Sequence, residues 1–523
     1  MTALAFGAGF RYTLQVAHAL KRALQNRAAS ATIAESPEPC LPRPRVPAPP
    51  SPHPRSAVSE TRTAQSLTER ADAPMSPKNR RALAAIMLAV ALATLDTAIA
   101  NTALPAIAAD LHAAPAASVW IINAYQLAMV ATLLPLAALG DIIGHRRIYI
   151  SGLAIFTVAS LACALAPTLT ALAGARVLQG LGASAIMSVN TALIRFLYPP
   201  HRLGRGLGMN ALIVGVSFAV GPTIASIILS AGTWPWLFGI NVPLGAVALV
   251  FALPALPHTE RGKHAFDPLA ALLNVVAFAA LIFALGEAAQ RAPGKEVAIA
   301  AATALVFGAL LIRREAGHPA PMLPVDLFRQ PVFALSSLTA MCSFAAQGLA
   351  FVSLPFYFET VLMRSQVETG FLMTPWSVVV AAAAPIAGRL SDRYPPGLLG
   401  GIGLAILAAG MASLAMLPAH PGLADIVIRL SICGAGFGFF QSPNLKAIMS
   451  SAPPERSGGA SGTIAVSRLL GQTTGAALVA LCFGIAGAHG PTLALGLGAA
   501  FAAVASVVSG LRLFAPSHRG VKQ

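Results

Sequence analysis

The feature that most constrains this chain is a series of long apolar stretches that begins near residue 80. Each is long enough to cross the hydrocarbon core of a bilayer as a helix. The charged fraction is 10%, far below the roughly 25% of a typical soluble domain, and the mean hydropathy is +0.71. A transmembrane β-barrel would instead show short segments of alternating polarity. The sequence therefore predicts an all-α polytopic membrane protein with fourteen transmembrane helices, near 82–103, 118–139, 147–166, 169–194, 206–229, 235–254, 267–287, 296–313, 331–357, 367–387, 397–418, 424–449, 458–484 and 491–513.

The net charge of +16 is concentrated in alternate short loops. Examples are GHRR (144–147), HTERGK (258–263) and GRLSDR (388–393), whereas the intervening loops carry few basic residues. The positive-inside rule then places both termini in the cytoplasm. The membrane is expected to be the plasma (inner) membrane. Because topology accounts for the basic residues, no nucleic-acid partner is expected.

The first 80 residues differ from the rest of the chain. They are rich in proline and arginine, as in PEPCLPRPRVPAPPSPHP, and lack any pattern that forms a core. We therefore expect a disordered N-terminal tail over 1–80. The stretch MSPKNRRALAAIM resembles a natural start, a short basic tail before a membrane helix, so Met75 is an alternative initiator.

The chain also contains an internal sequence similarity between its two halves. LGDIIGHRR after the second apolar segment is similar to AGRLSDRYP after the tenth, and RVLQGLG in the fourth is echoed by RLSICGAGFG in the twelfth. Parallel repeats of this kind build one large class of secondary transporters. The predicted units are a six-helix bundle over 81–257, a two-helix insertion over 258–330, a second six-helix bundle over 331–513 and a tail over 514–523.

Several motifs resemble those of the major facilitator superfamily, in its fourteen-helix drug:proton antiporter branch. LDTAIANTALP (95–105) is similar to the first-helix pattern L-D-x-T-x-x-N-x-A-L-P, and RVLQGLGAS (176–184) to R-x-x-Q-G-x-G-A. TWPWLFGINVPLG (233–245) resembles W-R-W-x-F-x-I-N-x-P-x-G and is interpreted as a family marker rather than a reactive site. The resemblance implies the major facilitator fold, with two six-helix bundles and two extra central helices.

Asp96 lies inside the first apolar segment, where a charge costs about 2.5–3.5 kcal/mol on the insertion scale. At 100° per residue, Asp96 and Asn101 point about 140° apart, so they do not form one paired site. Since no cation neighbours Asp96 in sequence, we expect the carboxylate to take and release a proton during transport. The alternative is a packing role, with Asp96 hydrogen-bonded to a neighbouring helix.

Arg176 is the second candidate for proton coupling. Arg176, Gln179 and Gly180 share one helical face, and Gly180 and Gly182 permit close approach of another helix. A buried arginine stays charged and favours the ionised form of a nearby carboxylate, which helps that group to release its proton. The alternative is a structural ion pair or an arginine that snorkels to the interface.

Other motifs suggest moving parts. In SFAVGPTIAS, Gly221 and Pro222 match the antiporter signature G-x-x-x-G-P-x-x-G-G, and the proline is a candidate pivot. The loop GDIIGHRR and its later copy GRLSDR resemble the family's cytoplasmic loop. We expect the charged residues of these loops to contact helix ends and thereby stabilise one conformation of the protein. The residues that carry these loop motifs are Asp141, Gly144, Arg146, Gly388, Asp392 and Arg393.

Polar residues within the apolar segments are candidates for a substrate cavity between the halves. The alternative for each is a hydrogen bond that joins neighbouring helices. The predicted cavity residues are Asn101, Gln126, Gln179, Asn210, Gln441, Asn444, Arg468 and Gln472.

The resemblance implies a proton-coupled multidrug efflux transporter that exports amphipathic, often cationic compounds by alternating access. The alternatives are a major facilitator transporter for a single small metabolite, in either direction, and a non-transport membrane scaffold or receptor. No nucleotide-binding loop, metal-ligand motif or catalytic constellation occurs in the sequence, so no enzyme activity, cofactor or metal is expected. The expected partners are small-molecule substrates, protons and membrane lipid, with a periplasmic adaptor and an outer-membrane channel left open.

Overall fold

A computed structural model of the chain describes residues 76–198, 203–257, 259, 266–289, 294–316, 326–418, 420–453 and 457–514. These residues belong to one compact unit, Pro74–Gln523. Residues 1–75 of the predicted tail, the alternative initiator Met75 and residues 515–523 of the predicted C-terminal tail lie outside the described residues.

The described residues form helices and their connections, without a strand. Thirteen stretches among them are long and apolar enough to cross a membrane, and the last, Gly459–Leu511, comprises two helices. The prediction of an all-α polytopic fold is confirmed. The long helices are α1 (Pro77–Asp110), α2 (Trp120–Ile143), α3 (His145–Ala164), α4 (Leu169–Leu197), α5 (Leu203–Ala231), α6 (Asn241–Ala255), α7 (Pro268–Ala289), α8 (Gly294–Glu315), α9 (Pro331–Phe356), α10 (Gln366–Leu390), α11 (Pro396–Ala415), α12 (Leu423–Ser451), α13 (Ser457–Ala486) and α14 (Gly490–Leu511).

Helix α1 extends well beyond the apolar stretch 82–103. It begins at Pro77 because the Ser76 hydroxyl accepts a hydrogen bond from the backbone N–H of Asn79, and proline suits the first helical position. It continues to Asp110, whose carboxylate accepts a hydrogen bond from the Trp234 indole at 2.6 Å. Both ends are set by polar contacts, which a hydropathy pattern does not detect.

The pairwise packing of α1–α6 is repeated by α9–α14. In the first set, α1 packs on α5 and α6, α4 packs on α2 and α3, and α3 packs on α6. In the second set, α9 packs on α13 and α14, α12 packs on α10 and α11, and α11 packs on α14. Two six-helix units with the same internal arrangement therefore face each other, as an internal duplication requires.

Besides a contact between α1 and α9, two seams join the six-helix units. In one, α5 packs on α10, where the Thr223 and Thr374 hydroxyls are 2.7 Å apart and a Cβ on Gly370 would meet the Ser226 hydroxyl. In the other, α2 packs on α13, and the Thr473 hydroxyl donates to the side-chain oxygen of Gln126 at 2.9 Å. Helix α7 contacts both α2 and α13, with α8 packed against α7, so the inserted pair lies along the second seam.

Candidate functional site

The Asp96 carboxylate lies at the centre of a buried polar cluster. It forms an ion pair with the Arg176 guanidinium and accepts hydrogen bonds from the side-chain amides of Gln179 at 2.8 Å and Asn241 at 2.9 Å. All four side chains are buried. The cluster satisfies the carboxylate with one ionic and two neutral donors, as a charge removed from water requires.

Gln179 extends the cluster to α3. Its amide nitrogen also donates to the Ser160 hydroxyl at 2.9 Å, and its oxygen accepts from Arg176 at 2.6 Å and faces the Cys163 thiol at 3.4 Å. Asp96 is on α1, Ser160 on α3, Arg176 and Gln179 on α4, and Asn241 begins α6. A change in the charge of the cluster therefore acts on four helices of the first unit.

Arg176 reaches α2 as well. Its Nε donates to the carbonyl of Ile121 at 3.1 Å, and its guanidinium lies over the Tyr125 ring, 4.1 Å from the centroid. No cation lies near Asp96 in the sequence, but the packing of α4 on α1 brings Arg176, 80 residues away along the chain, against its carboxylate.

Glycines allow the arginine to reach this position. A Cβ on Gly180 would lie 2.3 Å from the carbonyl oxygen of Tyr125, and one on Gly182 would lie 2.5 Å from the backbone nitrogen of Phe156. Helix α4 therefore approaches α2 and α3 with backbone against backbone. Because Arg176 is one turn before Gly180, this close approach sets the guanidinium over the Tyr125 ring.

A narrow cavity lies between the two six-helix units. The space outside the atoms there, open solvent included, is about 330 Å³, and it is lined from α1, α2, α4, α5 and α13. A second narrow cavity, about 220 Å³ by the same measure, shares three of its lining residues and extends toward α9. The residues lining one or both are Ala93, Thr94, Thr97, Asn101, Tyr125, Gln126, Met129, Met187, Phe218, Gln347, Gly348, Phe351, Val352, Arg468, Leu469 and Gln472.

The cavity and the buried cluster are separated by a single side chain. Tyr125 lines the first cavity, and the Arg176 guanidinium covers its ring. Its hydroxyl donates to the carbonyl of Ala93, a residue that also lines the cavity, at 3.1 Å. A displacement of Tyr125 would therefore connect the Asp96–Arg176 pair with the cavity.

The predicted cavity residues are found in several places. Asn101, Gln126, Arg468 and Gln472 line the cavities. Three others bond within one six-helix unit: Gln179 in the Asp96 cluster, Asn210 accepting from Asn190 at 2.8 Å, and Asn444 accepting from Arg512 at 2.7 Å. Gln441 is half-buried on α12 and lines neither cavity. These four residues do not line the cavities that the sequence analysis predicted for them. Three of them face a neighbouring helix, and Gln441 lies on another part of the α12 surface.

The two loop motifs, GDIIGHRR and GRLSDR, make local contacts at the helix ends. Gly144, at φ 102°, separates α2 from α3, and the exposed Asp141 lies 3.5 Å from the His145 ring. Arg146 donates to the carbonyl of Leu253 at the end of α6. In the second copy, Asp392 pairs with Lys446 of α12 at 2.6 Å, Arg393 is exposed and Gly388 is in ordinary contact with Ser442.

In the antiporter-signature stretch, Gly221 meets α1, since a Cβ there would lie 2.4 Å from the Ala98 methyl group. Pro222 is inside α5, and its carbonyl oxygen would be 2.5 Å from a Cβ on Gly370 of α10. This stretch of α5 therefore packs closely against both units.

Sequence reasoning missed several residues of the site, and Asn241 and Tyr125 are the two that contact the Asp96–Arg176 pair directly. Asn241 belongs to the stretch TWPWLFGINVPLG, which was interpreted as a family marker, yet its side chain bonds directly to Asp96. Tyr125 precedes the predicted cavity residue Gln126 and gave no signal of its own, since an aromatic residue in an apolar helix is ordinary.

Comparisons with known proteins agree with this architecture. The sequence pattern of the Major Facilitator Superfamily matches residues 86–476. Among solved structures, a POT family transporter in complex with 5-aminolevulinic acid superposes with a TM-score of 0.64 at 14% identity, covering 83% of this chain and 96% of that one. At this identity the likeness concerns the fold alone.

The names of three curated relatives state different substrates or none. An uncharacterized transporter, YebQ of Escherichia coli (strain K12), is 52% identical over 85% of this chain and 97% of its own length. The riboflavin transporter RibZ of Clostridioides difficile (strain 630) is 30% identical, over 76% of this chain and 87% of its own length. The tetracenomycin C resistance and export protein of Streptomyces glaucescens is 32% identical, over 76% and 74% respectively.

Proposed function

Because the chain belongs to the Major Facilitator Superfamily, a family of transporters, we propose that it is a proton-coupled transporter that exports amphipathic organic molecules by alternating access. The proposed driving force is the proton gradient, and the transport cycle uses no cofactor. The proposed setting is the inner membrane, with both termini in the cytoplasm and the basic loops on the cytoplasmic side.

The observation that carries this proposal is the buried Asp96–Arg176 pair one side chain away from the central cavity. An ionisable pair at membrane depth is expensive and serves as a functional hypothesis by default. Here the carboxylate is the one acid in the cluster, and the cavity is lined by residues of both units. A proton on Asp96 and a solute in the cavity would therefore act on the same group of helices.

Protonation of Asp96 supplies the switch in this proposal. The proton neutralises the carboxylate and leaves the Arg176 guanidinium buried without a counter-ion, which is strongly unfavourable. The cluster then gains stability by rearranging, and its bonds to α1, α2, α3, α4 and α6 transmit the change to the first unit. In our proposal this biases the seams between the units toward their alternative arrangement, which is alternating access.

Export is the direction that we propose, because the relative from Streptomyces glaucescens is named as a resistance and export protein.

The partners that we propose are the solute, protons and membrane lipid, with no nucleic acid; a periplasmic adaptor with an outer-membrane channel is a further candidate. Uptake or export of a single metabolite is the second candidate function, supported by the similarity to a riboflavin transporter.

Reconstitution tests the proposal. Purified protein in liposomes, given an imposed pH gradient with the acidic side at the periplasmic face, is expected to move an amphipathic dye from the cytoplasmic side toward the acidic side. Collapse of the gradient with nigericin should stop that movement. Dye movement that is identical with and without the gradient contradicts proton coupling, and movement in the same direction as the proton favours uptake.

A further inference from the structure

The central cavity contains a cation that the proposed proton switch does not use. Arg468 of α13 lines the first cavity together with Tyr125, Gln126 and Gln472. Within the described part of the chain, no carboxylate forms an ion pair with Arg468. The other intramembrane arginine of the site, Arg176, is by contrast neutralised by Asp96.

We propose that Arg468 binds an anionic group of the transported molecule, so that the substrates are amphipathic carboxylates, sulfonates or phosphates. This inference rests on the proposed function, since it assigns the substrate class of the same cavity. It differs from the expectation of cationic substrates that the family resemblance implies.

The charge of the cavity wall supports the inference. Among the described residues that line the two cavities there is no Asp or Glu, and Arg468 is the one charged residue. Because the Asp96 carboxylate is matched by Arg176 behind the Tyr125 ring, it adds no net negative charge to the cavity. The lining therefore attracts anions and repels cations.

Unpaired polar atoms in the two adjoining cavities indicate a built site. The hydroxyl of Thr94 and the side-chain oxygen of Asn101 are buried and have no hydrogen-bond partner in the described structure. Thr94 lines the same cavity as Arg468, and Asn101 lines the adjoining one. Buried polar groups are normally satisfied, so the Thr94 hydroxyl is expected to donate to the anionic group, whereas the Asn101 oxygen only accepts and would take a donor from another part of the bound molecule.

The remaining surface suits the apolar part of such a molecule. Met129, Met187 and Phe218 line the cavity around Arg468, and Phe351 continues this surface in the adjoining cavity. A planar guanidinium binds a carboxylate or sulfonate through two parallel hydrogen bonds, which fixes orientation as well as charge. In an arrangement that widens this narrow cavity, an aromatic acid would place its anionic group on Arg468 and its ring among the methionine and phenylalanine side chains.

A set of three ligands of one shape tests the inference by isothermal titration calorimetry on the full-length purified protein. The ligands are 2-naphthoate, its neutral carboxamide and the cationic 2-naphthylmethylammonium. We expect the anion to bind at least about tenfold more tightly than the other two, and Arg468→Gln to abolish that difference. Arg468→Lys, which keeps the charge, should retain most of it. Arg80→Gln is the matched control, since it removes the same charge from an exposed position at the start of α1 and should leave the preference unchanged.

Equal binding of the three ligands, tighter binding of the cation, or an anion preference that persists in Arg468→Gln would overturn the assignment. None of these results would affect proton-coupled transport itself, which the gradient experiment in liposomes tests without reference to substrate charge. Conversely, the unaltered protein could prefer the anion in binding and yet show no gradient-driven transport in liposomes. That result would contradict the proposed function and leave the binding site in place.

Discussion

Arg176 of α4 and Asp96 of α1 form an ion pair in which each side chain is 1% exposed. The pair is surrounded by amide, hydroxyl and aromatic groups from the same six-helix unit, three further helices (α2, α3 and α6) among their sources, and it is shielded from solvent. Removal of one partner from a buried pair typically costs about 3–5 kcal/mol, because the remaining charge is left uncompensated. The pair is therefore a structural bond within the first six-helix unit, and it is the position at which we propose that a proton acts.

Replacement of Arg176 by lysine should retain membrane insertion and lose most transport. A lysine ammonium keeps the charge but cannot donate simultaneously to Asp96, Gln179 and the carbonyl of Ile121 in the planar geometry of a guanidinium. The measurement is gradient-driven transport at matched protein levels in liposomes, where we expect a decrease of at least tenfold. Near-normal transport by Arg176→Ala would remove the arginine from the mechanism.

Gly180→Ala should destabilise the protein and impair transport, whereas Gly174→Ala on the same helix should be harmless. A Cβ at position 180 would overlap the Tyr125 carbonyl at 2.3 Å, but one at position 174 has no neighbour within 4 Å. Overpacking of this kind typically costs about 1–3 kcal/mol. Thermal unfolding in detergent measures the difference, and equal melting temperatures for the two variants would contradict the close packing of α4 on α2.

A disulfide across the α5–α10 seam should arrest transport. The hydroxyls of Thr223 and Thr374 are 2.7 Å apart, so cysteines at both positions are close enough to cross-link. If transport requires the seam to open, oxidation of the double variant should abolish most activity and a reductant should restore it. The variants that carry only Thr223→Cys or only Thr374→Cys serve as controls. Undiminished transport by fully cross-linked protein would show that this seam stays closed throughout the cycle.

The Asp267–Arg314 pair predicts a pH-dependent contribution to stability outside the membrane core. The hydrogen bond from Arg314 holds the pKa of the Asp267 carboxyl below its usual range, helped by the backbone N–H groups of Ala270 and Leu269. A lowered folded pKa stabilises the protein above the unfolded pKa of roughly 3.9, and this contribution is lost as the pH falls through the folded value.

Asp267→Asn keeps the cap at the start of α7 and removes the charge. The variant should therefore melt slightly below the wild type at pH 7, and the difference should shrink at pH 3. Thermal unfolding at the two pH values measures it. A difference that is the same at both would show that the ion pair does not contribute.

The helices themselves could be predicted from the sequence because apolar length alone identifies a membrane span. The ends of α1 could not, since Ser76 at one end and the Asp110–Trp234 hydrogen bond at the other are polar contacts outside the apolar stretch. The similarity of the two loop motifs predicted that the packing of α1–α6 would be repeated by α9–α14.

The site was harder to predict, because a polar residue inside an apolar helix does not reveal what it faces. Gln126 and Gln179 have the same chemistry, yet Gln126 lines the cavity and Gln179 bonds to Asp96. The choice between these environments depends on how α2 and α4 are rotated against their neighbours. Such rotation follows from glycine contacts that connect distant parts of the chain, as at Gly180.

The most direct test of the account is transport by Asp96→Asn. Asparagine retains the shape and the capacity to hydrogen-bond but cannot carry the proton. We predict that gradient-driven export in liposomes falls to background, while exchange of solute across the membrane without a gradient survives at matched protein levels. A packing role for Asp96 predicts the reverse: Asp96→Asn would export normally and only Asp96→Leu would fail. Full gradient-driven export by Asp96→Asn would therefore contradict proton coupling at this residue.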